Sequence, residues 1–193
     1  MTAKEFNVDK AQIRRQFKTL RENLPAKEVT AASKALCQGL AHWKPLRSAR
    51  TVLAYVAFRN ELDLSALFRL PHIRWAVPRV EGSHLILHPY DPDHLVRHRF
   101  GMLEPAADLP VISPAELDLV LAPGVAFDRR GRRLGFGAGF YDRLLATTPA
   151  LRVGVTHDRC LAKEIPVTEH DQWMDWVITP TEQIHCAPFW RNG

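Results

Sequence analysis

Residues 119–145 read LVLAPGVAFDRRGRRLGFGAGFYDRLL, and both the fold and the chemistry of the chain turn on how this stretch is parsed. Leu117 to Ala122 is an apolar run interrupted only by Asp118, which predicts a buried strand ended by Pro123-Gly124. Asp128 to Arg133 follows as a polar turn around Gly131. Gly135, Gly137 and Gly139 then occupy alternate positions, and alternate glycines let a backbone take positive φ and aim its N–H groups at an anion. Phe140 to Leu145 opens a helix whose N-terminus adds partial positive charge beside them. The combination suits a polyphosphate. Its spacing matches neither the dinucleotide fingerprint nor the P-loop, and no Lys-Ser/Thr pair follows, so spacing alone leaves a structural glycine turn open. Arg132, Arg133 and Asp142 add weight to the functional reading: guanidiniums fork onto phosphate oxygens, and an aspartate can hold a magnesium ion that neutralises them.

Upstream, Ile13, Phe17, Leu20 and Leu24 recur at helical spacing from Asp9 to Asn23, with Asp9 as N-cap. The opposite face carries Lys10, Arg14, Lys18 and Arg21. Lys18 and Arg21 are expected in solvent, whereas Lys10 and Arg14, four apart on one side of the helix, can reach a single anion. Pro25 separates a second helix, Ala26 to His42, with Val29, Ala32, Leu36 and Leu40 on its core face. Thr51 to Phe58 reads as a buried parallel strand closed by Arg59-Asn60-Glu61, and Leu62 to Leu70 as a short helix begun by Asp63. A carboxylate at a strand's C-terminal end, such as Glu61, is where open α/β sheets put ligand-binding groups; an acidic residue complementing the helix dipole is the alternative.

Ile73 to Val77 predicts the next strand, Pro78 to Gly82 a turn, and His84 to Tyr90 a half-exposed strand. Asp91 to Pro114 is expected to be irregular, and its length marks it as functional or loosely ordered. His84, His88, His94 and His98 lack a metal-ligand pattern. Leu151 to Thr156 and Trp176 to Thr179 complete the strands, joined by Ala162 to Trp173, which carries Glu169-His170-Asp171. Asp171 is a second candidate magnesium ligand or else a turn-former. Helices alternating with apolar strands predict an α/β fold, a single domain over residues 1–193 with a mainly parallel, Rossmann-like central sheet flanked by helices.

The composition agrees with a soluble globular chain: 193 residues, 46% hydrophobic and 24% charged, enough to bury a substantial core. A net charge of +5 without a lysine-rich tail fits anionic small molecules as well as nucleic acid, and neither an aromatic-basic RNA motif nor zinc-finger spacing is present. RNA binding through the basic first helix is therefore the minor reading. Cys37, Cys160 and Cys186 are odd in number and far apart, which argues against a disulfide framework and for a reducing, cytoplasmic setting. No stretch approaches the apolar length of a membrane helix, and no signal-peptide pattern opens the chain.

Taken together, these residues resemble the 5-formyltetrahydrofolate cyclo-ligase family. PGVAFDRRGRRLGFGAGFYDRLL (residues 123–145) is similar to that family's PG-x-x-FD-x-x-G-x-RLG-x-G-x-G-(Y)-YD-x-x-L pattern. The Lys10-x-x-x-Arg14 start, Asn60-Glu61, Pro78-Arg79, Gly101-Met102-Leu103-Glu104-Pro105 and IPVTEHDQWMDWVIT (residues 165–179) resemble family segments in the same order, so nearly the whole chain is covered. The resemblance implies ATP-dependent closure of 5-formyltetrahydrofolate to 5,10-methenyltetrahydrofolate, with release of ADP and phosphate and use of Mg2+. It assigns ATP contacts to Lys10, Arg14 and the run Arg133, Leu134, Gly135, Phe136, Gly137, Ala138, Gly139, Phe140 and Tyr141. Magnesium falls to Asp142 and Asp171, and the reduced folate to Glu61 and Val56, with Phe136 and Phe140 closing over it. Glu61, Arg133 and Tyr141 are the catalytic candidates, and Arg79 and Glu104 weaker ones. Three positions depart from the pattern: Phe140 replaces a tyrosine, Ala138 a glycine or lysine, and Cys160 a glutamine. Arg132 or Arg143 is expected to replace the phosphate contact that Ala138 lacks. A non-catalytic nucleotide- or folate-binding regulator on the same fold is the alternative function, and a monomer without nucleic-acid or membrane partners is the expected state.

Overall fold

A computed structural model describes residues 10–186, so the proposed cap at Asp9 lies outside the described residues. The chain opens with α1 (Lys10–Glu22), α2 (Ala26–His42) and the short α3 (Lys44–Ser48). Strands β1 (Thr51–Leu53), β2 (Arg74–Glu81), β3 (His84–Pro89), β4 (Leu95–Arg97), β5 (Leu103–Pro105), β6 (Leu119–Pro123), β7 (Ala126–Asp128) and β8 (Arg133–Leu134) follow. After α4 (Phe140–Leu145) come β9 (Leu151–Val155), β10 (Leu161–Ala162), β11 (Trp176–Ile178) and β12 (Gln183–His185).

One seven-stranded sheet in the order β12-β11-β9-β6-β1-β2-β3 forms the frame. Its five inner strands are parallel, and the antiparallel β3 and β12 close its two edges. Buried parallel strands must be apolar on both faces, and all five residues of β6 are buried. On one face Leu36 and Leu40 of α2 pack against Val52, Leu119 and Val153; on the other, Leu144 and Leu145 of α4 join Leu53, Val120 and Phe127. Asp118, the one polar interruption before β6, accepts the backbone N–H groups of Arg50 and Thr51 at 2.7 and 2.9 Å and thereby fixes the entry of β1. Phe127 is fully buried against β9, where a Cβ on Gly154 would lie 2.3 Å from its ring. Only glycine permits that approach.

A three-stranded sheet, β10-β7-β8, lies under α1, whose Ile13 and Phe17 pack with Leu134, Cys160 and Ile165. Cys37, Cys160 and Cys186 are buried and free. Among the described residues no helix is long and apolar enough to cross a membrane.

Four expectations change. The strand expected over 51–58 ends at Leu53: Ala54 N still donates to Ala76 O at 2.9 Å, but the chain then leaves the sheet, and Phe58 N bonds the Glu61 carboxylate at 3.0 Å. The helix expected over 62–70 is a turn followed by a 3-10 segment, Leu67–Arg69, with Asp63 accepting from Ser65 N. The turn expected over 78–82 is mostly strand, because Pro78 continues β2 with its nitrogen on the side where β1 has already ended. Ala76 O and Val80 N face that same side, the first towards Ala54 and the second towards the Glu104 carboxylate. The irregular stretch 91–114 contains the β4–β5 hairpin and a bridge from Ile112 to Leu87.

Candidate functional site

The C-terminal ends of β1 and β6 open into a cleft of about 1020 Å³. In open α/β sheets the segments leaving the strand ends are free to turn outward and meet a ligand. All fifteen site residues expected from the sequence border this cleft: Lys10, Arg14, Val56, Glu61, the run from Arg133 to Tyr141, Asp142 and Asp171.

One polar network joins α1, the glycine run, α4 and the 162–173 connection. Arg133 Nη2 donates to Asp142 Oδ1 at 2.7 Å, and Gln172 N donates to the same oxygen at 3.3 Å. Asp171, the next residue back, pairs with Lys10 and accepts from Thr168 Oγ1 at 3.0 Å. Burial raises the Asp171 carboxyl, and the hydrogen bonds from Lys10 and Thr168 outweigh it, leaving the group below the usual carboxylate range. Arg14 Nε donates to Gly135 O at 2.8 Å, tying α1 to the loop. Gly137 and Gly139 take φ of 112° and 69°, the left-handed values that the alternation of glycines anticipates, whereas Gly135, the first of the three, does not take positive φ.

Glu61 anchors a second group. Its Oε2 accepts from Phe58 N, and its Oε1 lies 3.6 Å from Arg21 Nη1. Burial pushes the Glu61 carboxyl up to about 7, against the opposing pull of Arg21 and the Phe58 amide. Tyr141 has a hydroxyl without a hydrogen-bond partner among the described residues, although that oxygen is buried. Burial and the charge of Glu61 push its phenol well up, against the pull of Arg133. The phenol stays protonated and can donate to a ligand. The Arg21 guanidinium also stacks 5.0 Å from the Phe136 ring, so the glycine run touches both groups.

Arg21 is therefore not solvated as expected but 5% exposed, donating to Gly124 O at 3.4 Å. Its place four residues after buried Phe17 is the signal that could have found it, since that spacing puts it on the buried stripe. Lys18 is half-buried, with its ammonium 5.5 Å from Phe136. Arg132 does not face the cleft: it bonds Glu164 Oε1 at 2.8 Å and Ile165 O at 3.0 Å. Arg143 borders the cleft but is committed to Ser83 O and Ala138 O. Arg79 and Glu104 form a 2.8 Å ion pair that braces the β4–β5 hairpin on β2, and Cys160 is buried outside the cleft. The sequence reading missed Phe58, Arg59, Phe100 and Leu103 on the cleft wall, which gather only when the hairpin folds back.

Fold and site together define a mainly parallel α/β protein whose ligand cleft lies at the strand ends, with cationic side chains and two carboxylates beside a glycine loop. Residues 7–180 match the model of the 5-formyltetrahydrofolate cyclo-ligase family. The chain is 37% identical to the 5-formyltetrahydrofolate cyclo-ligase of Mycolicibacterium smegmatis over 91% of its own length and 95% of the relative's. With the Escherichia coli enzyme of the same name it shares 34% identity, covering 72% of this chain and 83% of that one. The solution structure of 5,10-methenyltetrahydrofolate synthetase from Aquifex aeolicus superposes with a TM-score of 0.83 at 30% identity, covering 92% and 93% of the two chains. The chain belongs to the 5-formyltetrahydrofolate cyclo-ligase family.

Proposed function

We propose that the protein closes 5-formyltetrahydrofolate to 5,10-methenyltetrahydrofolate at the expense of ATP. The observation that carries this reading is the convergence of fifteen residues from distant segments on one cleft, in a chain of this family. The formyl oxygen is a poor leaving group. Transfer of the γ-phosphoryl group forms an O–P bond to that oxygen and releases ADP. The N10 amine then attacks the formyl carbon and loses its proton, and the C–O bond breaks to release phosphate. Such transfers depend on positioning and charge neutralisation more than on covalent help from the protein.

Lys10, Arg14 and Arg133 supply cationic charge for the polyphosphate, and the left-handed glycines free backbone N–H groups to point at it. Asp142 holds the Arg133 guanidinium in place. Glu61 accepts a hydrogen bond from the pterin, next to Val56 on the cleft wall, while Phe136 and Phe140 exclude water from the reacting atoms. Tyr141 donates its unpartnered hydroxyl to the bound substrate.

Asp142 and Asp171 also fit a magnesium ion. Each keeps one carboxylate oxygen without a hydrogen bond from the described residues, and these oxygens are hard donors. Phosphate oxygens and water would supply the remaining ligands of such an ion. When bound, magnesium neutralises polyphosphate charge.

The test is turnover with purified protein. ADP formation must require both Mg2+ and 5-formyltetrahydrofolate, and the near-ultraviolet absorbance of 5,10-methenyltetrahydrofolate must rise in step. ADP release independent of the folate would overturn the reading.

A further inference from the structure

Arg21 is a buried cation that does not itself border the cleft, yet it meets two residues that do, Glu61 and Phe136. A local device brings it there. Asn60, in the left-handed region at a φ of 57°, donates its side-chain amide to the carbonyls of Arg21, Glu22 and Leu24 at 3.2 to 3.3 Å. Asparagine tolerates that backbone, and the three bonds cap the end of α1 and clamp the segment leaving β1 against it. Glu61, the next residue, is thereby held beside Arg21.

The pair is a poor stabiliser. Arg79 and Glu104 close to 2.8 Å, whereas Arg21 Nη1 stays 3.6 Å from Glu61 Oε1 and 3.4 Å from Gly124 O. The Arg21 Nε is buried without a hydrogen-bond partner among the described residues. A cation so placed is costly to desolvate and gains little from contacts of that length. The same gap has a use. Beyond hydrogen-bond range, Arg21 lends Oε1 its charge without occupying a lone pair, while Oε2 is taken by Phe58 N at 3.0 Å. Of the two pulls that oppose burial at Glu61, that of Arg21 is the stronger. The other ionisable groups around the pair are Tyr55 on the segment leaving β1, Tyr141 of α4 with Arg133 beyond it, and Cys160 behind Arg21. Burial pushes both phenols and the thiol up, so all three are neutral near pH 7.

We infer that Arg21 is a positioning residue for the substrate: from behind the cleft wall it keeps Glu61 ionised and leaves Oε1 open to a hydrogen bond from the reduced folate. This inference rests on the proposed reaction and adds to it a residue that does not meet the ligand.

The experiment follows kcat/KM for 5-formyltetrahydrofolate against pH in wild type, Arg21→Gln, Arg21→Met and Arg21→Lys. The two neutral variants should move the rising limb up by about one pH unit, the low end of what a close opposite charge does to a carboxyl. Their deficit is then about fivefold at the midpoint of the wild-type limb and under about twofold two units above it, and it lies in the KM for folate rather than that for ATP. Arg21→Lys keeps the charge and should hold the limb close to wild type. Methionine keeps an apolar stem beside Phe136, and below the limb Glu61 is neutral, so neither neutral variant has to bury an unpaired carboxylate there. A merely structural arginine would lower kcat/KM by one factor at every pH with the limb in place, and that result overturns the inference. A limb displaced as far in Arg21→Lys as in the neutral variants also overturns it. Calorimetric titration of 5-formyltetrahydrofolate without ATP over the same pH range separates the inference from the reaction. A binding limb that moves in the neutral variants without any turnover brings down the reaction and leaves Arg21 in its role, whereas turnover with an unmoved limb brings down the role alone. No binding by wild type brings down both.

Discussion

Asp128 and Asp142 flank the glycine stretch, and each lies beside an arginine, yet the fold uses them in opposite ways. Asp128 is 1% exposed and is filled by backbone: Oδ1 accepts from Arg130 N and Arg132 N at 2.9 and 3.1 Å, and Oδ2 from Ile165 N at 3.0 Å. It closes the β7–β8 turn and pins the 162–173 connection to it. Asp142 spends a single oxygen on Arg133 and Gln172 and borders the cleft. Arg132 and Arg133 part in the same way, the first turning to Glu164 and Ile165 and the second to Asp142. A carboxylate saturated by amides is part of the frame; one with an oxygen left over beside a cleft is open to a ligand.

The largest expected effect lies on the open side of this contrast. Asp142→Asn should cut turnover by about 100- to 1000-fold, as removal of one aligned charge at a phosphoryl-transfer site does, while the melting temperature stays close to wild type. Wild-type turnover in the absorbance assay would erase the distinction between the two aspartates. Asp128→Ala should do the reverse, removing the partner of three backbone N–H groups, that of Ile165 buried, and costing about 3 kcal/mol in urea unfolding, with kcat per folded molecule unchanged. If kcat falls while stability holds, the frame has been misassigned.

Glu61→Gln tests the second group. With a carboxyl at about 7, kcat/KM for the folate should rise with pH through about 7 in wild type, and that limb should vanish in the variant. The KM for folate is expected to rise about tenfold and that for ATP hardly at all, and equal losses would make Glu61 structural. The stability sign follows from the same shift. A carboxyl whose value rises from 4.5 to about 7 on folding holds its proton more tightly when folded, so its contribution is full below 4.5 and drains as pH climbs to about 7. Glu61→Gln should therefore gain on wild type in thermal melts at pH 8 relative to pH 4. The smallest effect is expected at Lys18, whose half-exposed contact with Phe136 should contribute about 0.5 kcal/mol, or about twofold in KM on Lys18→Ala.

Local chemistry made much of this molecule legible in its sequence. Helix α2 falls on the residues expected, Ala26 to His42, because its apolar positions repeat at 3.6 and Pro25 sets its start. Helix α4 likewise falls on Phe140 to Leu145. The parallel strands declared themselves by apolar runs, and the residues that line the cleft by charged and glycine-rich segments at strand ends. What stayed hidden depends on partners remote in the chain. β1 is shorter than its apolar run because Phe58 N finds the Glu61 carboxylate instead of a neighbouring strand. Pro78 looked like a breaker and is a strand residue because β1 ends beside it.

The sequence by itself determined the α/β alternation, the glycine loop and the candidate side chains that border the cleft, since each follows from residue type and short-range spacing. Only the tertiary structure decided that Arg21 is buried against Glu61, that Arg132 serves the frame while Arg133 faces the cleft, and that Arg59 and Phe100, far apart in the chain, line one cleft. The physical reason is that a charge has no fixed role of its own. Burial, the backbone groups that reach it and the oxygen or cation left over are properties of the packed chain.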